Sequence, residues 1–216
     1  FSVTQTDAID AVLAWFRSKS SPTFKLFGYA GTGKTTIAKT IAERVEREPS
    51  SKARRYYDEG GEIECESMCG GVVFAAYTGK AASVLRDKGC AGASTIHSLI
   101  YRVTGERGEP PRFILDSPAL RSGAVALVII DECSMVGTSL GEDLLSFGVP
   151  VLVLGDPAQL PPVGDGGYFT NGEPDVLLTE IHRQKEGCGI LAVATAVRLG
   201  QPLPRGAYSE SQLLAM

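Results

Sequence analysis

An α/β domain, with a parallel β-sheet flanked by helices, is the fold class this sequence predicts, and three observations carry the prediction. Short, nearly unbroken runs of Val, Ile and Leu alternate along the chain with stretches of helical periodicity. The apolar runs do not alternate with polar residues, which is the pattern of strands covered on both faces by helices. A glycine-rich turn joins the first such run to the first periodic stretch, as in βα units.

In chain order, Phe24 to Tyr29 reads as a buried strand, and Lys34 to Glu48 as a helix with Ile37, Ile41 and Val45 on one face. Gly71 to Ala76 is a second strand, followed by a helix from Gly79 to Lys88. Ala126 to Ile130 and Val149 to Leu154 supply the third and fourth strands. Asp175 to Leu178 is the fifth, before a helix from Gly189 to Leu199. Two stretches break the alternation. Residues 49–70 are polar and mixed in charge, and residues 102–123 carry Pro110, Pro111 and Pro118; both read as surface insertions, the second a possible small subdomain.

Bulk properties fit one domain. The 216 residues bury a real core, and 44% hydrophobic against 21% charged residues is the balance of a globular chain. No apolar run reaches the roughly 18 residues of a membrane span. Five cysteines, an odd number, suit a reducing, cytoplasmic setting better than a disulfide scaffold. The net charge of −4 neither supports nor excludes a nucleic-acid partner, since backbone amides and a few local cations can hold phosphates on an acidic protein. The chain opens on Phe1 rather than methionine, as an excised piece would.

The chemistry lies at strand ends. Gly28-Tyr29-Ala30-Gly31-Thr32-Gly33-Lys34-Thr35 fits the phosphate-loop pattern GxxxxGK(S/T), with Thr36 following. Its glycines let backbone N–H groups face an anion, and the next helix adds its positive end. Lys34 supplies a cation for terminal phosphates and Thr35 a hard oxygen for Mg2+. Asp131, ending the third strand, is the second Mg2+ candidate, and Glu132 the candidate base for an attacking water. ATP and Mg2+ are therefore the expected ligands; no Asn-Lys-x-Asp segment for guanine is present.

Two further runs narrow the class. Gly155-Asp156-Pro157-Ala158-Gln159-Leu160-Pro161-Pro162-Val163, beside Ile130-Asp131-Glu132-Cys133-Ser134-Met135-Val136, resembles the superfamily-one DNA helicases of the RecD-like, 5′-to-3′ branch. The resemblance covers nearly the whole chain outside the insertions. It implies a RecA-like domain that couples ATP hydrolysis to translocation on single-stranded DNA; the alternative is a nucleotide-dependent nucleic-acid-binding module that does not unwind. It implies γ-phosphate contacts for Gln159 and for Arg183 in Glu180-Ile181-His182-Arg183-Gln184, and adenine recognition for Gln5. It also implies DNA contacts for Thr78, Gly79 and Lys80 in Tyr77-Thr78-Gly79-Lys80-Ala81-Ala82, where the family usually has proline at the Tyr77 position, and for Thr95 and His97. The family normally continues into a second RecA-like domain, whose motifs do not follow Leu203 here.

Structural readings stand beside these. Gln5 could belong to a helix start with Thr4 as N-cap, Arg183 to a surface ion pair, His97 to local packing, and Thr78 and Lys80 to a helix cap. Cys65 and Cys69 lack a second pair of ligands for zinc, and Cys133 and Cys188 read as small hydrophobes. Tyr56, Tyr57 and Tyr101 are weak candidates for stacking on bases.

Overall fold

The structure is a computed structural model and describes residues 1–48, 56–58, 61–63, 71–104, 112–157, 159 and 167–180. Helix α1 (Val3–Ser18) opens the chain and leads into β1 (Thr23–Gly28), and the glycine turn delivers β1 into α2 (Lys34–Arg47). Strands β2 (Tyr56–Asp58) and β3 (Gly61–Ile63) form a small antiparallel pair, followed by β4 (Gly71–Ala76) and α3 (Gly79–Asp87). A two-residue strand β5 (Ser94–Thr95) runs directly into α4 (Ile96–Ile100). Antiparallel β6 (Tyr101–Thr104) and β7 (Arg112–Leu115) make a ribbon, then come α5 (Pro118–Arg121), β8 (Val125–Asp131), α6 (Thr138–Leu145), β9 (Val151–Gly155) and β10 (Val176–Leu178).

Six strands form one sheet in the order β10-β1-β9-β8-β4-β5, and every pairing is parallel. All carboxyl ends therefore lie on one edge, where an open parallel sheet collects its ligands. The double covering inferred from the apolar runs is visible residue by residue. In β8, Leu127 and Ile129 join a core with Ile9 and Val12 of α1, Ile37 and Ile41 of α2, and Leu85 of α3. Val128 and Ile130 face the opposite core, with Ile96 and Ile100 of α4, Leu144 of α6 and Phe169. Alternation along each strand serves both faces, and both faces are apolar.

Strands β2, β3 and β5 and helices α4, α5 and α6 have no counterpart in the sequence reading, and three further features depart from it. Helix α1 was legible only as a helix start, and its N-cap is Ser2, not Thr4. The Ser2 hydroxyl accepts from the Gln5 N–H at 3.3 Å while the Ser2 N–H donates to Gln5 Oε1 at 3.0 Å, a complete capping box that wins over a cap two residues later at Thr4. The fourth strand begins at Val151 because Pro150 has no N–H for the ladder; its carbonyl instead accepts from Val128 at 3.0 Å. The second insertion contains the β6–β7 ribbon rather than irregular chain. The expected helix from Gly189 to Leu199 lies outside the described residues, as does most of 49–70.

Gly141, inside α6, shows how tightly this layer is packed: a Cβ there would overlap the Tyr168 ring. Helix propensity alone would make Gly141→Ala stabilising by about 1 kcal/mol. Overpacking reverses the sign, and Gly141→Ala is expected to destabilise the fold by about 1–3 kcal/mol in a urea unfolding curve; a stabilised variant would contradict the packing described.

Candidate nucleotide cleft and nucleic-acid face

The turn after β1 is shaped by what it excludes. Gly31 and Gly33 adopt φ of 89° and 87°, a left-handed backbone that glycine takes without steric cost. A Cβ on Gly28 would lie 2.7 Å from Thr32 Oγ1 and 2.8 Å from Leu178 Cβ, and one on Gly33 would lie 2.8 Å from Gln5 Nε2. The buried Thr32 hydroxyl closes the loop by donating to the Tyr29 carbonyl at 2.9 Å. Gln5 Nε2 donates to the Thr32 carbonyl at 3.0 Å, tying α1 to the loop. The Lys34 ammonium folds back on the Gly28 and Tyr29 carbonyls, at 2.5 and 3.1 Å.

Strand β8 lies two places from β1, about 10 Å away at ordinary strand spacing. The space between their carboxyl ends is a cleft of about 300 Å3. Ala30, Gly31, Gly33, Lys34, Thr35 and Thr36 line it on the loop side, and Asp131, Glu132, Asp156 and Gln159 on the other. Glu132 is non-glycine yet left-handed, with φ 55° and ψ 50°. Its N–H donates to Asp131 Oδ1 at 3.0 Å, so the two carboxylates leave the strand end in different directions with the first one anchored. Such backbone costs about 1–2 kcal/mol and persists where surrounding structure enforces it. Gln159 Oε1 accepts from the Ser134 hydroxyl at 2.9 Å, which leaves the amide NH2 as the donor on the cleft side.

Beneath the cleft, Cys133 is fully buried, and a Cβ on Gly155 would stand 2.9 Å from its sulfur. Burial, reinforced by the Asp131 charge, pushes the thiol from 9.0 up to about 12. It packs as a small hydrophobe, as expected. Cys65, Cys69 and Cys188 lie outside the described residues, as does Arg183.

Not every residue expected at the nucleotide lines the cleft. Gly28 and Thr32 stand behind the loop and shape it. Both polar atoms of the Gln5 amide are engaged, one with Ser2 and one with Thr32. Conversely, Lys88, just past α3, lines the cleft and carries no sequence signal, because no motif reaches it.

The second group of candidates gathers at the ends of β4 and β5, where Ala76 pairs with Thr95. That is three strand spacings from β1, about 14 Å along the same edge. Thr78 is the N-cap of α3, accepting from the Ala81 N–H at 3.1 Å, and Thr95 is the N-cap of α4, accepting from Ser98 at 3.1 Å. The capping reading therefore holds for Thr78 but not for Lys80, which lies within α3, and Thr95 caps α4 where the sequence reading gave it no such role; the Thr78 hydroxyl keeps its own O–H as a donor. Gly79 has open space where a side chain would be, and Lys80 is exposed. The exposed His97 ring lies between Tyr77 and Tyr101, with centroids at 6.0 and 5.8 Å. Tyr101 is held in place by donating its hydroxyl to Asp143; burial and that carboxylate push the phenol up to about 12.

A parallel α/β sheet with a phosphate loop after one strand and an acidic pair after another defines a P-loop nucleotide-binding domain of the RecA-like kind. Residues 1–214 match the AAA domain family, and the chain belongs to it. The fold is similar to that of Pif1 helicases. A structure of two coordinating Pif1 helicases unwinding forked double-stranded DNA shares 22% identity and a TM-score of 0.58, covering 94% of this chain and 49% of that one. Pif1 helicase from Candida albicans shares 21% identity and a TM-score of 0.59, over 95% and 45%. Bacteroides Pif1 in complex with ADP-AlF4 shares 24% identity and a TM-score of 0.54, over 94% and 47%. An uncharacterized protein of Acanthamoeba polyphaga mimivirus is 25% identical over 225 residues, 92% of this chain and 42% of that protein. The chain thus spans about half the length of the proteins it matches. Among the described residues no helix is long and apolar enough to cross a membrane.

The left-handed Glu132 yields a stability test. Glu132→Gly is expected to be about 1 kcal/mol more stable than Glu132→Ala, since only glycine relieves the strain. Equal urea midpoints for the two variants would show the turn to be unstrained.

Proposed function

We propose that this chain is the first motor domain of an ATP-dependent DNA helicase, coupling ATP hydrolysis to 5′-to-3′ translocation on single-stranded DNA. The observation that carries the reading is the cleft itself, in which loop amides, Lys34, Thr35, Asp131, Glu132 and Gln159 line one space. The polarity rests on the resemblance of the Gly155–Val163 and Ile130–Val136 runs to the RecD-like branch.

The donor set fits Mg2+. Thr35 offers a hydroxyl and Asp131 a carboxylate, hard oxygens on opposite walls of the cleft. Among the described residues no group of three or more His, Cys, Asp or Glu side chains could hold a metal alone; Mg2+ here would complete its shell with phosphate and water. When bound, Mg2+ neutralises charge on the terminal phosphates. Lys34 exchanges its two loop carbonyls for phosphate oxygens, and the Gly31–Gly33 amides with the N-terminus of α2 hold the remaining negative charge. Glu132 accepts the proton of the attacking water. The Gln159 amide donates toward the terminal phosphate, with its carbonyl fixed by Ser134. Arg183, outside the described residues, would supply a further cation by the helicase resemblance alone. Gln5 acts on adenine only by giving up its bonds to Ser2 or Thr32, so its first contribution is to hold the loop.

Thr78, Gly79, Lys80, Thr95 and His97 form the single-strand face, displaced along the same sheet edge. Hydroxyl, ammonium and imidazole suit a sugar-phosphate backbone and give sequence-tolerant binding that weakens with salt. A second RecA-like domain completes the machinery, because turnover in this class takes place between two such domains; alone, this chain hydrolyses ATP slowly.

Lys34→Ala is expected to remove most Mg2+–ATP affinity in calorimetric titration, and unchanged binding would sink the nucleotide assignment. Thr78→Ala with Lys80→Ala is expected to weaken fluorescent single-strand binding and flatten its salt dependence by about one phosphate contact, leaving ATP binding intact. Affinity and salt slope at unmodified values would move the DNA path elsewhere.

A further inference from the structure

Lys88 lies eight residues beyond Lys80 of the single-strand face, yet it lines the nucleotide cleft with Lys34, Thr35, Asp131 and Glu132. It also borders the adjoining groove with Thr35 and Thr36 at the start of α2. Its backbone is fixed there. Lys39 of α2 donates to the Lys88 carbonyl at 2.9 Å, and the turn is completed by Gly89, whose φ of 87° and missing side chain leave room for the Lys39 ammonium, 3.0 Å from where a Cβ would be. The lysines differ in what their ammonium groups do. Those of Lys25, Lys34 and Lys39 donate to backbone carbonyls, whereas those of Lys88, Lys19 and Lys80 have no hydrogen-bond or ion-pair partner among the described residues, and of these three only Lys88 lines the cleft. An exposed, unpartnered lysine is ordinary on a surface; one pinned by its backbone over a phosphate loop is placed for an anion.

The charges of the cleft point the same way. Its walls carry Lys34 and Lys88 against Asp131, Glu132 and Asp156. Without Lys88, one lysine would face three carboxylates in a site built for a polyphosphate. We infer that Lys88 is a second phosphate-binding cation of this cleft, contacting the metal-bound, terminal end of a nucleoside triphosphate, where Thr35 and Asp131 converge. The inference rests on the nucleotide reading above and adds a residue to it. It makes the cleft prefer triphosphate over diphosphate, since the γ-phosphate is the group that Lys88, beside Thr35 and Thr36 at the start of α2, would meet.

The test compares Mg2+–ATP and Mg2+–ADP affinities of this chain by calorimetry for the unmodified protein, Lys88→Ala, Lys88→Arg and Lys34→Ala. Lys88→Ala is expected to weaken ATP about tenfold, the loss of one charge-assisted hydrogen bond at a partly solvated site, and ADP by less than about threefold. Lys88→Arg, which keeps the charge, is expected to stay within about threefold of the unmodified protein for both. ATP affinity unchanged in Lys88→Ala, equal losses for ATP and ADP, or no rescue by arginine would each overturn the assignment. If Lys34→Ala abolishes binding while Lys88→Ala does not alter it, the nucleotide reading stands and only Lys88 falls. If the unmodified chain binds neither nucleotide, both fall together.

Discussion

The seven residues from Gly28 to Lys34 must reverse the chain, leave their amides facing outward and admit no Cβ at Gly28 or Gly33. Every neighbour presses on that turn. Leu178 of β10 closes it from one side, Gln5 of α1 from another, and Thr32 fills its interior with a hydroxyl bonded to Tyr29. The placement of α1 and β10 follows from this requirement: each contributes one group that holds the loop, at a distance no Cβ would permit. The rest of the cleft is then a matter of which strand ends come near, and the parallel order β1-β9-β8 brings Asp131 within reach.

A wholly parallel sheet has one functional edge, and this chain uses its length. The phosphate loop and acidic pair occupy the stretch from β1 to β8, while the candidate nucleic-acid residues occupy β4 and β5. Separating the two groups by strands rather than by loops fixes their spacing through the sheet's own hydrogen bonds. The two apolar cores reinforce this, since adjacent residues of β8 are gripped by different helical layers. A shift of that strand would have to disturb both layers, which are packed without slack at Gly141 and Gly155.

Much of this was legible in the sequence because parallel strands and phosphate loops leave strong local signals. The runs ending at Tyr29, Ala76, Ile130, Leu154 and Leu178 became strands within two residues of the expected bounds, Pro150 accounting for the largest shift. Less legible were elements whose signal is non-local. Helix α1 has its apolar residues at 8, 9, 12, 13 and 16 and its Ser2–Gln5 capping box in plain sight, but its reason for being where it is, the Gln5–Thr32 bond, spans 27 residues. Helix α6 is short, with only Leu140 and Leu144 to mark its buried face besides Gly141. The β6–β7 ribbon pairs Val103 with Phe113 across a prolyl stretch that read as loop. Lys88 could not have been found from spacing, since only the fold brings it over α2.

Helix α3 begins with the cap at Thr78, on the candidate single-strand face, and gives way at its far end to Lys88, in the candidate cleft. Its nine residues span about 13 Å, with no glycine after the first position and no proline to bend it. Two regions that look separate on the surface therefore share one girder, clamped to α2 by Lys39 at one end and to the sheet by Ala82 and Leu85 along its length. Were a ligand at one end to change the affinity at the other, the change would be reciprocal, each altering the other by the same factor.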